Sequence, residues 1–310
     1  MALSVRPIDV LAAGELLIDL ISTDFADSLT AAKDYTRLQG GSPANLCLNL
    51  ARLGHSTHLA AAVGQDAMGD FLAANVAATG VPTAGMRRVA APTTLILVTR
   101  SRTTSAFFPY RGADQQLHAD QFPDALLARC RIFHTTCFAL SAEPARGALL
   151  DAAARAVAAG GQLSIDVNYA QKIWPDRAVA RRVVADYVGQ GALVKCSEVD
   201  WERLYGHPVA APQRVIEHFL GLGAKEVVLT LGAAGSYAGN GAAVQHCPVR
   251  PVAVKDTTGA GDAFWSGYLS AWLDGRALTA CLRAGTAMAA IKLRHFGPLA
   301  QPVDRAELYR

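Results

Sequence analysis

The sequence has little that would indicate a disulfide-stapled scaffold or a nucleic-acid-binding protein. Its six cysteines are scattered without a C-x-x-C pair, which favours buried free thiols over disulfides or a zinc site. The 29 basic and 26 acidic residues give a net charge of +3 and form no long run of one sign. An extended basic surface for nucleic acid is therefore not expected.

A long uninterrupted hydrophobic run is also missing at the start of the chain. The apolar segment 1–21 is broken by charged residues at Arg6, Asp9, Glu15 and Asp19. It therefore lacks the continuous apolar core of a signal peptide or a membrane span. Together with the expected free thiols, this predicts a cytoplasmic protein with no membrane partner.

Aromatic residues are few, at 7%, whereas 51% of the 310 residues are hydrophobic and alanine is abundant. This composition suits helices packed on a sheet, and the length allows one large α/β domain. A nicotinamide-dependent dehydrogenase is not favoured, because G-E-L at 14–16 stands where G-x-G-x-x-G would follow the first strand.

From about residue 125 onward, short apolar runs alternate with helical patterns. Strands are predicted at 131–137, 162–167, 192–195 and 225–231, and helices at 144–159 and 176–188. This alternation predicts a parallel sheet covered by helices on both faces. Ligands bind such sheets beyond the carboxyl ends of the strands, so the motifs at strand ends are expected to gather there.

The first third of the chain predicts a small antiparallel flap. Segments 93–99 and 105–110 read as strands joined by a hairpin turn, and 17–23 is a further extended segment. We expect a single domain over 1–310 with a β lid contributed by roughly 17–38 and 92–111, placed to close a site against water. The apolar residues that would allow the lid to pair with a second copy in a homodimer are Leu95, Leu97, Phe107 and Phe108.

The motif D-T-T-G-A-G-D at 256–262 carries the strongest chemical signal. Gly259, Ala260 and Gly261 form a turn almost without side chains before a helix, whose N-terminus attracts anions. Asp262 adds a carboxylate that can accept a proton from a hydroxyl. An anion cradle beside a base suits phosphoryl transfer to an alcohol. The alternative is a glycine-rich turn with a capping aspartate and no chemistry.

A second motif, G-G-S-P-A-N at 40–45, opens a helical pattern that ends at Gly54. Ser42 is suited to cap this helix, with proline at its first position. The two preceding glycines would let a ligand approach the backbone, and Asn45 can donate and accept hydrogen bonds. A capped surface helix without chemistry is the alternative.

Together the two motifs resemble the N- and C-terminal signatures of the ribokinase-like, or pfkB, family of sugar kinases. G-E-L-L-I-D at 14–19 and T-L-G-A-A-G at 230–235 also fit, so the resemblance covers nearly the whole chain. It implies an α/β fold with a mostly parallel central sheet, helices on both faces and a small β-sheet lid. It also implies transfer of the γ-phosphate of ATP to a primary hydroxyl of a small carbohydrate.

The resemblance also assigns roles to individual residues. Asp262 would take the proton of the attacking hydroxyl, and the N–H groups of Gly259, Ala260 and Gly261 would hold the charge on the transferred phosphoryl group. The implied substrate-binding residues are Asp19, Gly40, Gly41, Asn45, Arg111 and Asn168. From the residues alone, Asp19 could equally be a surface acid and Arg111 a solvated arginine.

The nucleotide and its cations are expected on the other side of the turn. The implied ATP-binding residues are Lys195, Ser197, Thr230, Gly232 and Gly235, together with Gly259 and Gly261. Asp200 is the expected contact of a hydrated Mg²⁺. Asp256 and Thr258 resemble positions from which some family members bind K⁺.

Two segments depart from the family pattern. S-E-V-D at 197–200 replaces the usual Asn-x-x-Glu, and D-V-N-Y-A at 166–170 lacks the arginine of the Asp-Pro-Asn-x-Arg found in many fructokinases. The signatures look most like those of fructokinases. The alternatives are a kinase of 5-dehydro-2-deoxygluconate or 2-keto-3-deoxygluconate, with Arg111 on the substrate carboxylate, or a non-catalytic regulator that binds sugar and nucleotide.

Overall fold

The computed structural model describes residues 6–100, 107–249 and 251–310. The strands are β1 (Ile8–Ala13), β2 (Leu17–Phe25), β3 (Tyr35–Gly40), β4 (Thr57–Gly64), β5 (Met86–Val89), β6 (Leu95–Arg100), β7 (Phe107–Tyr110), β8 (Cys130–Thr136), β9 (Gln162–Asp166), β10 (Leu193–Ser197), β11 (Glu226–Thr230), β12 (Ser236–Gly239) and β13 (Val244–Cys247). The helices are α1 (Ser42–Arg52), α2 (Ala67–Ala78), α3 (Asp124–Leu127), α4 (Ala145–Ala158), α5 (Arg177–Val188), α6 (Glu198–Tyr205), α7 (Pro212–Gly221), α8 (Ala260–Leu273) and α9 (Leu278–Leu293).

A nine-stranded sheet forms the centre of the molecule, in the order β13-β12-β11-β10-β9-β8-β1-β4-β5. The strands from β11 to β5 are parallel, and β12 and β13 add an antiparallel edge. The expected alternation of strands and helices after residue 125 is confirmed, with strand and helix ends within two residues of the predicted ones. The mostly parallel α/β fold is confirmed as well.

Both faces of this sheet are buried, which explains why its strands read as continuous apolar runs. In β1, Val10 and Ala12 point into one hydrophobic core, while Leu11 and Ala13 point into the other. Helices α4 to α7 cover the face of Leu11 and Ala13. Helices α1, α2, α8 and α9 cover the face of Val10 and Ala12. The helices that carry the two motifs, α1 and α8, therefore pack on the same side of the sheet.

The cysteines and the helices agree with the expectations from composition. All six cysteines are buried and free, as predicted. Within the described ranges, every helix is too short or too polar to cross a bilayer.

A second sheet of four strands, in the order β3-β2-β6-β7, forms the lid. The outer pairs are antiparallel and the central pair, β2 with β6, is parallel. The predicted turn of the β6–β7 hairpin falls largely on residues 101–106, outside the described residues. Both faces of the lid contribute to the hydrophobic cores, one through Ile96 and Phe107 and the other through Ile18 and Leu95.

The register of the lid corrects one sequence expectation. Leu95 and Leu97 pair with Tyr110 and Phe108, so these four side chains share one face of the lid, the outer face. On this face Phe108 and Tyr110 are exposed, whereas Leu95 is half-buried against a hydrophobic core. Phe107 instead pairs with Val98, and both pack against the core that contains Leu11 and Ala13. Because neighbouring residues on a strand point to opposite faces, Phe107 does not belong to the outer apolar surface, and Tyr110 takes its place.

Candidate active site

The candidate active site is a cleft of about 470 Å³ at the carboxyl ends of the parallel strands, between the two motif helices and the lid. The sequence-predicted residues that line it are Asp19, Gly41, Asn45, Asn168, Lys195, Ser197, Asp200, Thr230, Gly232, Thr258, Gly259, Gly261 and Asp262. Predicted residues that do not line it are Gly40, Arg111, Gly235, Asp256 and Ala260. It is also lined by residues that were not predicted, namely Ser42, Asp166, Glu198 and Val199.

Asp262 stands in the first turn of α8, where Gly259 caps the helix with a left-handed φ of 73°. The Ser42 hydroxyl donates to its Oδ1 at 2.7 Å, and Asn45 Nδ2 donates to its Oδ2 at 2.9 Å. Burial raises the pKa of Asp262, while these two hydrogen bonds and the ammonium groups of Lys195 and Lys292 oppose the rise. The Asp262 carboxylate is therefore oriented by α1 and lies beside the glycine turn at the N-terminus of α8.

The entry into α1 depends on close backbone contacts. Gly41 has a φ of 102°, and a Cβ there would lie 2.2 Å from the carbonyl oxygen of Glu15. A Cβ on Gly40 would lie 2.1 Å from Oδ2 of Asp19, so Gly40 acts by leaving room for that carboxylate. Gly41, not Ser42, is the N-cap of α1. The predicted capping role of Ser42 was wrong, because its hydroxyl is turned toward Asp262.

Asp19 projects from β2 into the same cleft. Burial, together with the nearby carboxylates of Asp262 and Asp256, raises the pKa of Asp19 to about 7. A carboxyl group in this position can accept hydrogen bonds from sugar hydroxyls when it is ionised and donate one when it is protonated.

The glycine turn differs from the prediction in one respect. Gly259 and Gly261 line the cleft, whereas the Ala260 N–H donates to the Thr257 carbonyl at 3.2 Å. Ala260 therefore stabilises the turn from within. A Cβ on Gly261 would lie 3.3 Å from Lys195 Nζ, which places an ammonium group directly beside the turn.

Lys195 in the middle of β10 and Asp166 at the end of β9 form a buried ion pair. The Nζ–Oδ2 distance is 2.7 Å, and both side chains are about 5% exposed or less. Burial alone would lower the pKa of Lys195, but the carboxylates of Asp166 and Asp200 raise it above its usual range. Lys195 therefore remains charged in the cleft. Asp166 was not predicted, because a strand-end aspartate has no distinctive spacing.

The segment at the start of α6 was expected to organise Mg²⁺. Ser197 is the N-cap of α6, and Asp200 receives hydrogen bonds from the Ser197 N–H and hydroxyl and from the Tyr169 N–H. Asp200 thus acts mainly as a capping residue, with both oxygens engaged. The exposed Glu198 also lines the cleft and supplies the second carboxylate of this segment.

The remaining predicted nucleotide residues separate into two groups. Thr230, at the end of β11, and Gly232 line the cleft. Asn168, which was predicted to bind the sugar, also lines it and has a positive φ of 27°. Gly235 does not line it, because its N–H donates to the Gly232 carbonyl at 3.2 Å and closes the turn into β12. Gly235 therefore shapes the turn from which Gly232 reaches the cleft.

Arg111 lies away from the cleft. Its Nε donates to Asp114 at 2.9 Å, its Nη1 donates to Ser141 at 2.5 Å, and its guanidinium stacks over Phe138. The side chain is only 10% exposed. In this structure the guanidinium of Arg111 is engaged by an acid three residues away, so its expected contact with substrate stays a prediction.

Asp256 and Thr258 were expected to bind K⁺. Asp256 instead accepts hydrogen bonds from the Thr258 and Gly297 N–H groups at 2.9 and 3.0 Å. The ammonium group of Lys292 lies 3.2 Å from Asp256 Oδ2. Lys292, which comes from the end of α9, was not singled out in the sequence.

A parallel α/β sheet with a β lid, a glycine turn at a helix N-terminus and an oriented aspartate define a ribokinase-like phosphotransferase. The sequence of residues 8–304 matches the pfkB family carbohydrate kinase. The chain therefore belongs to the pfkB family, and it is an ATP-dependent carbohydrate kinase.

Characterised relatives agree with this assignment. The ATP-dependent 6-phosphofructokinase of Thermoanaerobacterium thermosaccharolyticum is 33% identical over 296 residues, covering 96% of this chain and 91% of the relative. Fructokinase-1 of Zea mays is 36% identical over 262 residues, covering 82% and 80%. Halothermothrix orenii fructokinase superposes with a TM-score of 0.79 at 34% identity, covering 94% of this chain and 99% of that chain. The ATP-bound fructokinase of Xylella fastidiosa gives 0.84 at 26% identity, covering 97% and 96%.

Proposed function

We propose that this kinase transfers the γ-phosphate of ATP to a primary hydroxyl of fructose. The observation that carries the mechanism is the Asp262 carboxylate, held by Ser42 and Asn45 at the N-terminus of α8 and open to the cleft. The preference for fructose is supported by the fructokinases among the relatives and the superposed structures.

In this proposal Asp262 accepts the proton of the attacking hydroxyl as its oxygen bonds to phosphorus. Its carboxylate oxygens each have lone pairs beyond those used by Ser42 and Asn45, so a sugar hydroxyl can approach the same group. Asp19, Gly41, Asn45 and Asn168 would hold the other sugar hydroxyls, because they line the cleft around the base. This arrangement positions one hydroxyl against the phosphoryl group.

The phosphates of ATP would lie between the glycine turn and the strand ends. The N-terminus of α8 attracts the transferred group, and Lys195 supplies a fixed positive charge beside Gly261. Thr230, Gly232 and Ser197 would contact the rest of the nucleotide. Because the side chains of Lys195 and Asp166 are about 5% exposed or less, the charge of Lys195 acts in a less polar medium than water.

Mg²⁺ would arrive with ATP and supply charge neutralisation on the phosphates. The described residues contain no ready-made cluster of three or more metal-ligating side chains, which suits an ion held through few protein ligands and several waters. Glu198 is the better placed carboxylate for such an ion, because it is exposed in the cleft, whereas both oxygens of Asp200 already accept hydrogen bonds.

We also propose a cytoplasmic location, because the enzyme uses ATP and its cysteines are free thiols.

A sugar monophosphate is the second candidate acceptor, because the relative that aligns over 96% of this chain is named a 6-phosphofructokinase. The sugar acids are less favoured acceptors, because Asp114 and Ser141 hold the Arg111 guanidinium that would pair with their carboxylate.

The decisive experiment is a coupled ADP-release assay with Mg-ATP over fructose, fructose 6-phosphate, 2-keto-3-deoxygluconate, ribose and adenosine. Fructose is expected to give the highest kcat/KM. Asp262→Asn should reduce kcat by about a hundredfold to ten-thousandfold with an unchanged melting temperature. Asp151→Asn, at an exposed acid on α4, is the matched control. Binding of ATP and sugar without any transfer would instead identify a regulator.

A further inference from the structure

Lys292 holds a buried ammonium group beneath the glycine turn. Its Nζ lies 3.2 Å from Asp256 Oδ2 and 3.4 Å from the His295 carbonyl oxygen. The side chains of Lys292 and Asp256 are only 5% and 10% exposed. A charge that is so well shielded from water interacts strongly with its neighbours.

The carboxylate of Asp256, the partner of Lys292, accepts hydrogen bonds from two loops. Asp256 accepts from the Thr258 N–H on the glycine-turn side and from the Gly297 N–H on the loop after α9. These hydrogen bonds keep the pKa of Asp256 below its usual value despite burial, and Lys292 adds to the effect. The loop that precedes Asp262 is thus held in place by an ionised carboxylate neutralised from within the chain.

Lys292 also lies close to the catalytic turn itself. A Cβ on Gly259, the N-cap of α8, would be 3.8 Å from Lys292 Cε. The ammonium is among the charges that lower the pKa of Asp262. It lines a small cavity beside the main cleft together with Thr258 and Gly259. The group is therefore both a support of the turn and part of its electrostatic field.

These contacts do not fit a potassium ion at Asp256. K⁺ would have to share the Asp256 carboxylate with an ammonium group of the same charge, and two cations in one buried site repel each other. We propose that Lys292 is a positioning residue that permanently provides the positive charge at this turn, so that the kinase needs no monovalent cation. This inference rests on the proposed kinase site for its activity readout.

The first test uses the unaltered protein. Activity and melting temperature are measured in tetramethylammonium buffer, free of K⁺, Na⁺ and NH₄⁺, and again after adding KCl at constant ionic strength. Both quantities are expected to stay the same within about twofold and one degree. Loss of activity in the K⁺-free buffer, with recovery on adding KCl, would overturn the inference.

The second test removes the ammonium group. Lys292→Ala leaves a space beside Asp256, and kcat in tetramethylammonium buffer is expected to fall by roughly tenfold to a hundredfold. Added NH₄⁺ or K⁺, small enough to enter the vacated position, should restore much of the loss, whereas more tetramethylammonium should not. An Ala variant with unaltered kcat and no response to K⁺ would contradict the proposal.

Two further variants keep the outcome unambiguous. Arg294→Ala removes an exposed positive charge just beyond the end of the same helix and should behave like the unaltered protein in every buffer. Lys292→Met replaces the Ala variant if the latter does not fold, and it should lose activity without rescue because its side chain fills the space.

The melting temperature separates this inference from the proposed function. Lys292→Ala should melt several degrees lower than the unaltered protein, and K⁺ should raise that value again. This change does not depend on which sugar is phosphorylated. If no acceptor is turned over, the proposed function fails, while a K⁺-dependent melting temperature confined to the Ala variant still supports the role of Lys292.

Discussion

Ser42 and Asn45 each donate to one oxygen of Asp262, and the two donors come from the first turn of α1. The sequence shows that an aspartate at a glycine turn is suited to be a base. It does not show which groups orient that base, because the donors lie more than 200 positions away in the chain. The sequence around Ser42 predicts only a helix cap, because Asp262, the partner of its hydroxyl, lies far away in the chain.

Replacing Ser42 with alanine is expected to alter both the rate and its pH dependence. The Ser42 hydrogen bond lowers the pKa of Asp262, so its loss should raise that pKa and move the acid limb of kcat/KM to higher pH. A fall of about tenfold in kcat/KM at neutral pH is expected from the loss of a hydrogen bond to a charged group.

The measurement is a pH–rate profile for the unaltered protein, Ser42→Ala and Ser42→Thr. The threonine variant keeps a hydroxyl and should retain the original acid limb. An acid limb that stays at the same pH in Ser42→Ala would show that the hydroxyl does not tune the base.

At the scale of elements, the parallel strands and helices after residue 125 could be predicted, because their apolar runs and helical patterns alternate clearly. Strand β3 was harder to see, since Y-T-R-L-Q-G mixes polar and apolar residues on a half-exposed lid. Which face of the lid each residue occupies depends on the pairing of β6 with β7, and a shift of one position exchanges the faces.

The outer face of the lid is the part of the surface that we propose pairs with a second copy of the chain. Leu95, Leu97, Phe108 and Tyr110 share this face, and Phe108 and Tyr110 are 43% and 56% exposed. Light scattering after gel filtration should therefore report a dimer for the unaltered protein and a monomer for Phe108→Lys. Val244→Lys, at an exposed apolar residue on β13, should leave the dimer intact. A monomeric unaltered protein at all concentrations would contradict the pairing.

At the scale of the whole molecule, Glu15 lies where three parts of the chain meet. It is 1% exposed, and its carboxyl oxygens accept hydrogen bonds from the Ser42 N–H at 3.3 Å and the Thr136 hydroxyl at 2.8 Å. Burial is the main reason that its pKa is raised from 4.5 to about 8. The folded protein therefore favours the neutral acid.

Because the folded-state pKa of Glu15 is raised, its contribution to stability is complete below pH 4.5 and is lost as the pH rises through about 8. The free energy of unfolding should thus fall between pH 5 and 8.5. Glu15→Gln should show a fall that is smaller by a few kcal/mol. Urea unfolding at both pH values tests this, with the exposed Glu217→Gln as control. The role of Glu15 would be refuted if the free energy of unfolding fell equally between pH 5 and 8.5 in Glu15→Gln and Glu217→Gln.

The neighbouring placement of α1 and α8 also has a consequence for synthesis on the ribosome. The base belongs to a helix that begins at Ala260, and its two donors belong to one that begins at Ser42. A nascent polypeptide therefore carries the donors long before the base emerges from the exit tunnel. The proposed base is therefore not oriented until Asp262 has left the exit tunnel and α8 has packed against α1.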